Sequence, residues 1–218
     1  MININSVSVL IIAYLFGSIP TAVWIGKAFY GVDVREYGSG NAGATNTFRV
    51  LGKKAGIPVM LIDILKGFTA TSLVYFIGVS TTGGSHSQIN YKLALGIAAV
   101  MGHLFPVFAG FRGGKGIATL FGMVLAVNVS AALLCVIAFI IVLLITRYVS
   151  LSSIVGGFSY LVGVTFYFND DTNNLVVIFG MCICLLILVT HQKNIERLLK
   201  GKESKVNLFK RKEAPDQA

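Results

Sequence analysis

The chain has 218 residues, of which 55% are hydrophobic and only 12% are charged, and its mean hydropathy is +0.79. A water-soluble domain carries about twice that share of charged residues, so the composition excludes a soluble globular protein and predicts an integral membrane protein. The formal charge of +9 alone would suit a nucleic-acid-binding protein, but eight of the cations lie in the last 26 residues, after an apolar run. That position is typical of a cytoplasmic segment beside a membrane, and no nucleic-acid partner is expected.

The first predicted element is an apolar run at residues 7–25. The N-terminus shows neither the basic region nor the small-residue cleavage site that a secretory signal peptide needs. We therefore expect this run to be retained as the first membrane span.

Five further apolar runs are candidates for transmembrane helices, which need about 20 mostly apolar residues. They lie at residues 57–79, 93–111, 117–146, 149–168 and 175–190. The run at 117–146 has about 30 residues, which is too long for one ordinary crossing and short for two.

The distribution of charge predicts which connecting segments face the cytoplasm, since cytoplasmic loops carry an excess of Lys and Arg. The segment 27–54, the pair Arg112 and Lys115, and the C-terminal tail are cationic. The loop 80–90 is almost uncharged, and the loop 169–174 carries two acids and no cation. The cationic segments are therefore expected inside, and the two loops outside.

The assignment of these segments to the inside and the outside is consistent only if the run at 117–146 crosses the membrane twice, as a hairpin of short helices that breaks near residues 128–130. The sequence then predicts an all-α polytopic membrane protein with about seven transmembrane helices, N-terminus out and C-terminus in. Five helices are the alternative, if two short runs only dip into the bilayer.

No linker, low-complexity segment or internal repeat divides the chain, so a single transmembrane domain is expected at residues 1–203 and a basic cytoplasmic tail at 204–218. The cysteines Cys135, Cys182 and Cys184 lie inside apolar runs. Their odd number and spacing indicate neither a disulfide framework nor a metal site.

The first polar segment with chemical potential is 37–49, YGSGNAGATNTFR. Its glycines match the dinucleotide pattern G-x-G-x-x-G, but a membrane helix rather than a strand precedes them, so that match is accidental. Glycines expose backbone N–H groups, hydroxyl and amide side chains add neutral hydrogen bonds, and Arg49 suits a phosphate. The segment predicts an anion-binding loop; the alternative is a flexible polar loop with a helix cap. Its candidate residues are Gly38, Ser39, Gly40, Asn41, Gly43, Thr45, Asn46 and Arg49.

The second segment is 102–119, GHLFPVFAGFRGGKGIAT. Ala109 and Gly116 break the Walker pattern, so nucleotide hydrolysis is not implied. A glycine-rich turn that opens a helix at Ile117 still predicts an anion site made of backbone N–H groups, to which Lys115 adds a charge. The alternative is a plain cytoplasmic turn with an anchoring lysine. The candidates are Gly113, Gly114, Lys115 and Gly116, together with His103, for which a structural role is an equal alternative.

The third segment is 190–203, THQKNIERLLKGKE, where His191 and Asn194 share one face if the last helix continues. The spacing from His191 to Glu196 is similar to a box of soluble-type glycerolipid acyltransferases, but the acid is Glu rather than Asp and we discount it. The alternative is an amphipathic helix end on anionic lipid. Within the second run, Asp63 and Lys66 are interpreted as a structural ion pair, because intramembrane charges normally pair.

These three segments, in this order, resemble the motifs of the bacterial acyl-phosphate:glycerol-3-phosphate acyltransferases, the PlsY family. GSIP at 17–20 and DILKG at 63–67 are also similar, and the resemblance covers about residues 17–203. It implies a multi-pass enzyme of the bacterial cytoplasmic (inner) membrane, with its active site facing the cytoplasm, that acts in phospholipid biosynthesis.

The reaction implied by the resemblance is transfer of a fatty acyl group from acyl phosphate to the 1-hydroxyl of glycerol 3-phosphate. The products are 1-acyl-glycerol 3-phosphate (lysophosphatidic acid) and phosphate. The family uses no cofactor, no metal, and neither acyl-CoA nor acyl carrier protein directly. The expected partners are the two substrates, membrane lipids and, as a further candidate, the enzyme that supplies acyl phosphate.

Carried over residue by residue, the resemblance implies a catalytic core in which Arg49 and Lys115 hold the substrate phosphates and the backbone of 113–116 cradles the acyl phosphate. Ser39 and Asn194 would orient the substrates, and either His191 or the phosphate of the donor would take the hydroxyl proton. The remaining candidates would bind or support the substrates: Gly38, Gly40, Asn41, Gly43, Thr45, Asn46, His103, Gly113, Gly114 and Gly116.

Two other functions compete with this interpretation. One is a carrier or channel for an anionic, phosphate-bearing solute, although no inverted repeat is evident. The other is a non-catalytic membrane subunit anchored by its basic tail, which leaves the loop GSGNAGATN unexplained.

Overall fold

The computed structural model describes residues 4–76, 84–168 and 174–206, and within those ranges every regular element is a helix. The α-helices, numbered in chain order, are α1 (Ile4–Ser18), α2 (Thr21–Tyr30), α3 (Ala44–Leu51), α4 (Lys53–Ser72), α5 (Gly84–Leu104), α6 (Ile117–Val127), α7 (Val129–Thr146), α8 (Val149–Phe166), α9 (Asn174–Thr190) and α10 (Gln192–Leu199). Short 3₁₀ turns lie at Val34–Glu36, Leu73–Phe76 and Val107–Ala109. The prediction of an all-α membrane protein is confirmed.

Four described helical segments are long and apolar enough to cross a membrane: Lys53–Phe76, Gln88–Ala109, Val129–Thr146 and Val149–Phe166. Two bent pairs, α1 with α2 and α9 with α10, raise that number to six if each pair is one span. The 11 residues of α6 are too few for an ordinary crossing. The predicted count of about seven, and the side on which each terminus lies, stay predictions.

The predicted break within residues 117–146 is present, because α6 ends and α7 begins on either side of Asn128, whereas the double crossing of the membrane stays a prediction. The backbone of Asn128 is extended, and its side-chain oxygen accepts a hydrogen bond from the backbone N–H of Ala131 at 2.9 Å. Asparagine is a preferred N-cap residue, since its side chain satisfies an N–H group that the first helical turn leaves unpaired.

The helix over the first apolar run is broken, which the sequence analysis did not predict. α1 ends at Ser18 and α2 starts at Thr21, with a bend of 41° between them. Pro20 has no backbone N–H and disfavours helical geometry in the residue before it, so the helix stops there. Lys66 Nζ donates to the carbonyl oxygen of Ile19 at 2.9 Å, which satisfies a group freed by the break.

The third predicted run, 93–111, has the wrong boundaries: α5 begins at Gly84 and ends at Leu104. The described part of the predicted loop 80–90 is therefore helical. Hydropathy misses this start because its residues are polar, and the polar part of the helix includes Lys92, which contacts other segments. Lys92 Nζ donates to the carbonyl of Ala126 at 2.9 Å and lies 5.1 Å from the ring centroid of Tyr75.

Two other predicted segments fall largely outside the described residues. Of the loop 169–174, only Asn174, the first residue of α9, is described. Of the tail 204–218, only 204–206 are described, and the division at residue 203 stays a prediction.

Glycines bring the helices into close backbone contact. A Cβ on Gly67 would overlap the carbonyl of Thr119, and one on Gly122 would overlap the carbonyl of Ile64, so α4 and α6 touch through their backbones. Gly17 of α1 meets α5 in the same way. Small residues are the usual means of close helix packing in membranes, where lipid removes the hydrophobic driving force between helices.

The helix packing gathers the three polar segments at one end of the bundle. Arg35 donates to the carbonyl of Ala109, which joins the loop before α3 to the loop after α5. Lys115 contacts Asn194, which joins the loop before α6 to α10. The segments predicted to carry chemistry therefore lie together, as their common charge suggested.

Candidate active site

The first loop, residues 33–43, is shaped by a buried asparagine that follows it. Asn46 is 1% exposed; its Nδ2 donates to the carbonyl oxygens of Val34 at 2.7 Å and Tyr37 at 3.1 Å. Its Oδ1 accepts from the backbone N–H of Ser39 at 2.9 Å and from the Ser39 hydroxyl at 3.1 Å. Gly38 has a φ of 63°, and a Cβ there would overlap the Asn46 amide. The polar atoms of Asn46 are thus engaged in holding Ser39 rather than directed at a ligand.

Arg49 extends from α3 beside this loop. It is exposed, and among the described residues its guanidinium has no hydrogen-bond or ion-pair partner. A Cβ on Gly38 would lie 3.4 Å from Arg49 Cδ, an ordinary contact distance, so the arginine stem runs directly beside the loop glycine. An exposed, unpaired guanidinium beside a glycine-rich loop is suited to bidentate binding of a phosphate.

The other first-loop candidates surround this position. Gly40 has a φ of 71°, which favours glycine, and its N–H donates to the Tyr37 carbonyl at 3.1 Å. Gly43 precedes α3, Asn41 is half-buried, and Thr45 is exposed on the first turn of α3. All of the first-segment candidates thus lie on one short stretch of chain, the loop after α2 and the helix α3 that follows it.

The second loop, residues 105–116, passes over a buried histidine. The N–H of Gly114 donates to the carbonyl of His103 at 3.3 Å, and a Cβ on Gly114 would overlap His103 Nε2. His103 Nδ1 lies 3.1 Å from Thr119 Oγ1 and 3.8 Å from Asp63 Oδ1. Gly116, with a φ of 76°, ends the loop and starts α6. His103 therefore supports the loop from beneath.

The predicted Asp63–Lys66 ion pair is present next to this histidine. Lys66 Nζ lies 2.9 Å from Asp63 Oδ1, with both side chains almost fully buried, and Thr21 Oγ1 donates to the same carboxylate oxygen at 3.0 Å. A small cleft lies between Lys66 and the second loop. Its lining residues are Ile19, Pro20, Thr21, Ala42, Lys66, His103, Pro106, Gly113 and Gly114.

Lys115 and Asn194 are in direct contact, Lys115 Nζ donating to Asn194 Oδ1. Asn194 Nδ2 in turn donates to Glu203 Oε1 at 2.6 Å, and Arg197 Nε donates to Glu203 Oε2 at 2.6 Å. Ser150 Oγ donates to Glu203 Oε1 at 2.8 Å. We call this set of five residues the Glu203 network.

Burial and charge together shift the pKa values of Lys115 and Glu203. Burial lowers the pKa of Lys115 to about 8, Glu203 opposes that change, and the positive charges of Arg197 and Arg49 add to it. Burial alone would raise the pKa of Glu203, but the hydrogen bonds it accepts, first that from Arg197, outweigh burial and lower its pKa. Glu203 is therefore an anion that anchors Asn194 and partly neutralises Lys115.

His191 is buried where α9 turns into α10. Its Nδ1 lies 2.9 Å from the carbonyl oxygen of Ile187 and 3.3 Å from Thr190 Oγ1. A carbonyl only accepts, so Nδ1 is assigned as the donor, and in the neutral ring Nε2 keeps its lone pair. His191 is thus held in the tautomer that can accept a proton at Nε2.

The structure joins the predicted residues into two groups rather than one. Ser39 and Arg49 belong to the first loop and α3, whereas Lys115 and Asn194 belong to the Glu203 network. No described hydrogen bond joins the two groups directly; the field of Arg49 at Lys115 is the electrostatic link between them.

Sequence reasoning missed two residues that the structure places at this site. Glu203 is the last residue of the third segment and received no role, although an acid among so many cations is a signal for an ion pair. Arg35 was counted only as a cytoplasmic charge. No His, Cys, Asp or Glu cluster able to hold a metal occurs within the described ranges.

A family model described as glycerol-3-phosphate acyltransferase matches residues 7–201 of this chain. The chain is 42% identical to a glycerol-3-phosphate acyltransferase of Listeria monocytogenes, over 94% of this chain and 98% of that protein. It is 43% identical to a glycerol-3-phosphate acyltransferase of Enterococcus faecalis, over 92% of each chain.

The fold is similar to crystal structures of PlsY, an integral membrane glycerol 3-phosphate acyltransferase. Its glycerol 3-phosphate form superposes with a TM-score of 0.82 at 38% identity, covering 93% of this chain and 96% of that one. Its lysophosphatidic acid form gives a TM-score of 0.78 at 37% identity, covering 93% and 95%.

Proposed function

Because the chain belongs to the glycerol-3-phosphate acyltransferase family, we propose that it transfers a fatty acyl group from acyl phosphate to the 1-hydroxyl of glycerol 3-phosphate. The products are lysophosphatidic acid and phosphate, and the site faces the cytoplasm from the bacterial inner membrane. Family membership favours an acyltransferase over the carrier and the non-catalytic subunit. The forms in which the similar PlsY was crystallised, with glycerol 3-phosphate and with lysophosphatidic acid, correspond to the acceptor and the product of this reaction.

One observation carries the proposal: two cations lie beside glycine-rich loops at one end of an apolar helix bundle, namely Arg49 of α3, which has no partner in the described part of the chain, and the Asn194-bound Lys115. Both proposed substrates carry a phosphate, and the donor also carries an apolar chain. A cationic end on a lipid-embedded bundle suits a ligand with that combination of groups.

In the proposed reaction the 1-hydroxyl oxygen of glycerol 3-phosphate attacks the acyl carbon, and the bond from that carbon to the phosphate oxygen breaks. The donor is a mixed anhydride and already activated, so no acyl-enzyme intermediate is needed. Arg49 and Lys115 hold the acceptor phosphate and the leaving phosphate. The backbone of 113–116 cradles the donor, and stabilising the charge on the leaving group is the main contribution to rate.

Ser39 and Asn194 orient the substrates in this scheme, and each is held by a hydrogen bond within its own group. The hydroxyl proton goes either to His191 Nε2 or to the phosphate of the donor. The assigned tautomer of His191, with Nδ1 donating to Ile187, supports the first route.

The test is a radiochemical assay on purified protein with palmitoyl phosphate and labelled glycerol 3-phosphate. We expect wild type to form lysophosphatidic acid and Arg49→Ala to lower kcat/KM about 10- to 150-fold, the value of losing a charge-assisted hydrogen bond. Lys54→Ala, which removes an exposed cation at the start of α4, is the matched control and should stay within about twofold of wild type.

Parallel reactions with palmitoyl-CoA and with palmitoyl-acyl carrier protein test the donor. Product formed only from palmitoyl phosphate supports the proposal. Product formed from the thioesters instead would overturn the choice of donor, and no product from folded protein with any donor would overturn the activity.

A further inference from the structure

Arg35 bridges the first loop to the second. Its Nε and Nη2 donate to the two carboxylate oxygens of Asp33 at 2.9 and 2.7 Å. Its Nη1 donates to the carbonyl of Ala109 at 2.9 Å and makes a longer contact of 3.4 Å with that of Arg112. The Arg35 side chain is 15% exposed. One side chain therefore joins segments that are 74 residues apart in the sequence.

Each end of this bridge continues directly into a predicted catalytic group. On the first-loop side, the backbone turn that contains Arg35 supplies the Val34 and Tyr37 carbonyls that accept from Asn46, and Asn46 holds Ser39. On the second-loop side, Ala109 lies a few residues before the glycine-rich stretch that presents Lys115.

The bridge is suited to fixing a distance. Arginine presents a planar fork of N–H donors, and here two edges of that fork are used for different loops. The Arg35 guanidinium also holds the pKa of Asp33 well below its usual range, so the pair stays ionised across the physiological range. The turn from Ala109 to Arg112, whose carbonyls accept hydrogen bonds from Arg35, contains Phe111 with a φ of 59°. That conformation is unfavourable for a bulky residue, so surrounding contacts must hold it.

No described hydrogen bond joins Ser39 or Arg49 directly to the Glu203 network, so the relative position of the two groups must be set by contacts between the loops that carry them. Displacing a catalytic group by about 1 Å can cost on the order of 100-fold in rate. A residue that sets the spacing of the two loops would therefore affect catalysis without touching a substrate.

We propose that Arg35 is a positioning residue for acyl transfer, which sets the separation between the Ser39–Arg49 group and Lys115. This inference rests on the proposed function. Its alternative is that Arg35 only stabilises the fold, in which case activity follows the folded fraction alone.

Two Arg35 variants and a matched control separate these roles. Arg35→Lys keeps the charge beside Asp33 but cannot bind the carboxylate bidentately and reach Ala109 together, and Arg35→Ala removes the bridge. Lys27→Ala is the control, because Lys27 also lies near Asp33, at 3.3 Å, but is 59% exposed and does not extend to the second loop.

We expect Arg35→Lys to retain the melting temperature of wild type in detergent and to lose at least about tenfold in kcat/KM for glycerol 3-phosphate. Lys27→Ala should stay within about twofold. If Arg35→Ala does not fold, Arg35→Lys decides alone. Activity of the folded lysine variant within about twofold of wild type, or a loss no larger than the loss of folded protein, overturns the inference.

A second measurement does not depend on activity. Spin labels at Tyr37→Cys and Val107→Cys, both exposed positions, report the separation of the two loops in a background without native cysteines. A longer or broader separation in both Arg35 variants, and not in Lys27→Ala, supports the spacing role of Arg35; with an inactive wild type, that result would stand while the proposed function and the role in acyl transfer would fail. An unchanged separation overturns it.

Discussion

Replacing Asn46 with aspartate tests whether the first loop is organised by this side chain. The substitution keeps the shape of the residue and its Oδ1, which accepts from the N–H and the hydroxyl of Ser39. It removes Nδ2, which donates to the carbonyls of Val34 and Tyr37. The new carboxylate oxygen would instead face two carbonyl oxygens that it can only repel.

The size of the effect follows from those two lost hydrogen bonds. Each lost hydrogen bond costs about 0.5–1.5 kcal/mol, because both carbonyls keep a backbone donor, Val34 from the N–H of Tyr37 at 3.4 Å and Tyr37 from that of Gly40 at 3.1 Å. The two together cost about 1–3 kcal/mol, and repulsion between the new carboxylate and the buried Val34 carbonyl favours the upper half of that range. If about 2 kcal/mol of this free energy is lost from the positioning of Ser39 in the transition state, kcat/KM falls about 30-fold.

The assay is lysophosphatidic acid formation from palmitoyl phosphate and labelled glycerol 3-phosphate, with the melting temperature measured on the same preparations. Asn128→Asp is the matched control, because Asn128 uses only its side-chain oxygen, as the cap of α7, and aspartate caps equally well. We expect a large loss for Asn46→Asp and none for Asn128→Asp. Activity of Asn46→Asp within about threefold of wild type would refute the assignment of Asn46 as the organiser of this loop.

Three further outcomes are expected. The lowered pKa of Lys115, about 8, means that its cation is lost as the pH rises through 8, so KM for glycerol 3-phosphate should rise about tenfold per pH unit above that value. Lys115→Arg should flatten the rise, and a wild-type KM that is constant from pH 7 to 10 would contradict this role. Glu203→Gln places an amide where Glu203 now accepts charge-assisted hydrogen bonds, so kcat/KM should fall about 10- to 150-fold. The control is Glu196→Gln, at an exposed position, which should leave kcat/KM unchanged. Equal activity of the two variants would contradict the role of the Glu203 network. Gly67→Ala puts a Cβ against the carbonyl of Thr119 and should lower the melting temperature in detergent by several degrees through overpacking, which an unchanged melting curve would contradict.

Much of the fold was predictable because membrane helices are specified by local composition. The low charge, the apolar runs and the excess of cations in particular connecting segments predicted an all-α membrane protein and the break beside Asn128. The break at Pro20 has an equally local cause, the proline itself, but a prediction from hydropathy alone does not detect it. The early start of α5 had no such signal, since contacts of Lys92 with other segments hold polar residues in a helix.

The sequence by itself also predicted where the chemistry lies, because glycine-rich loops, a nearby arginine and a basic helix end are each recognisable within a dozen residues. Only the tertiary structure decided which side chains hold them in place. Asn194 reaches Lys115 across 79 residues of chain, and Arg35 reaches Ala109 across 74. Such contacts depend on how the helices pack, and that packing places residues of separate loops side by side although no local pattern in the sequence relates them.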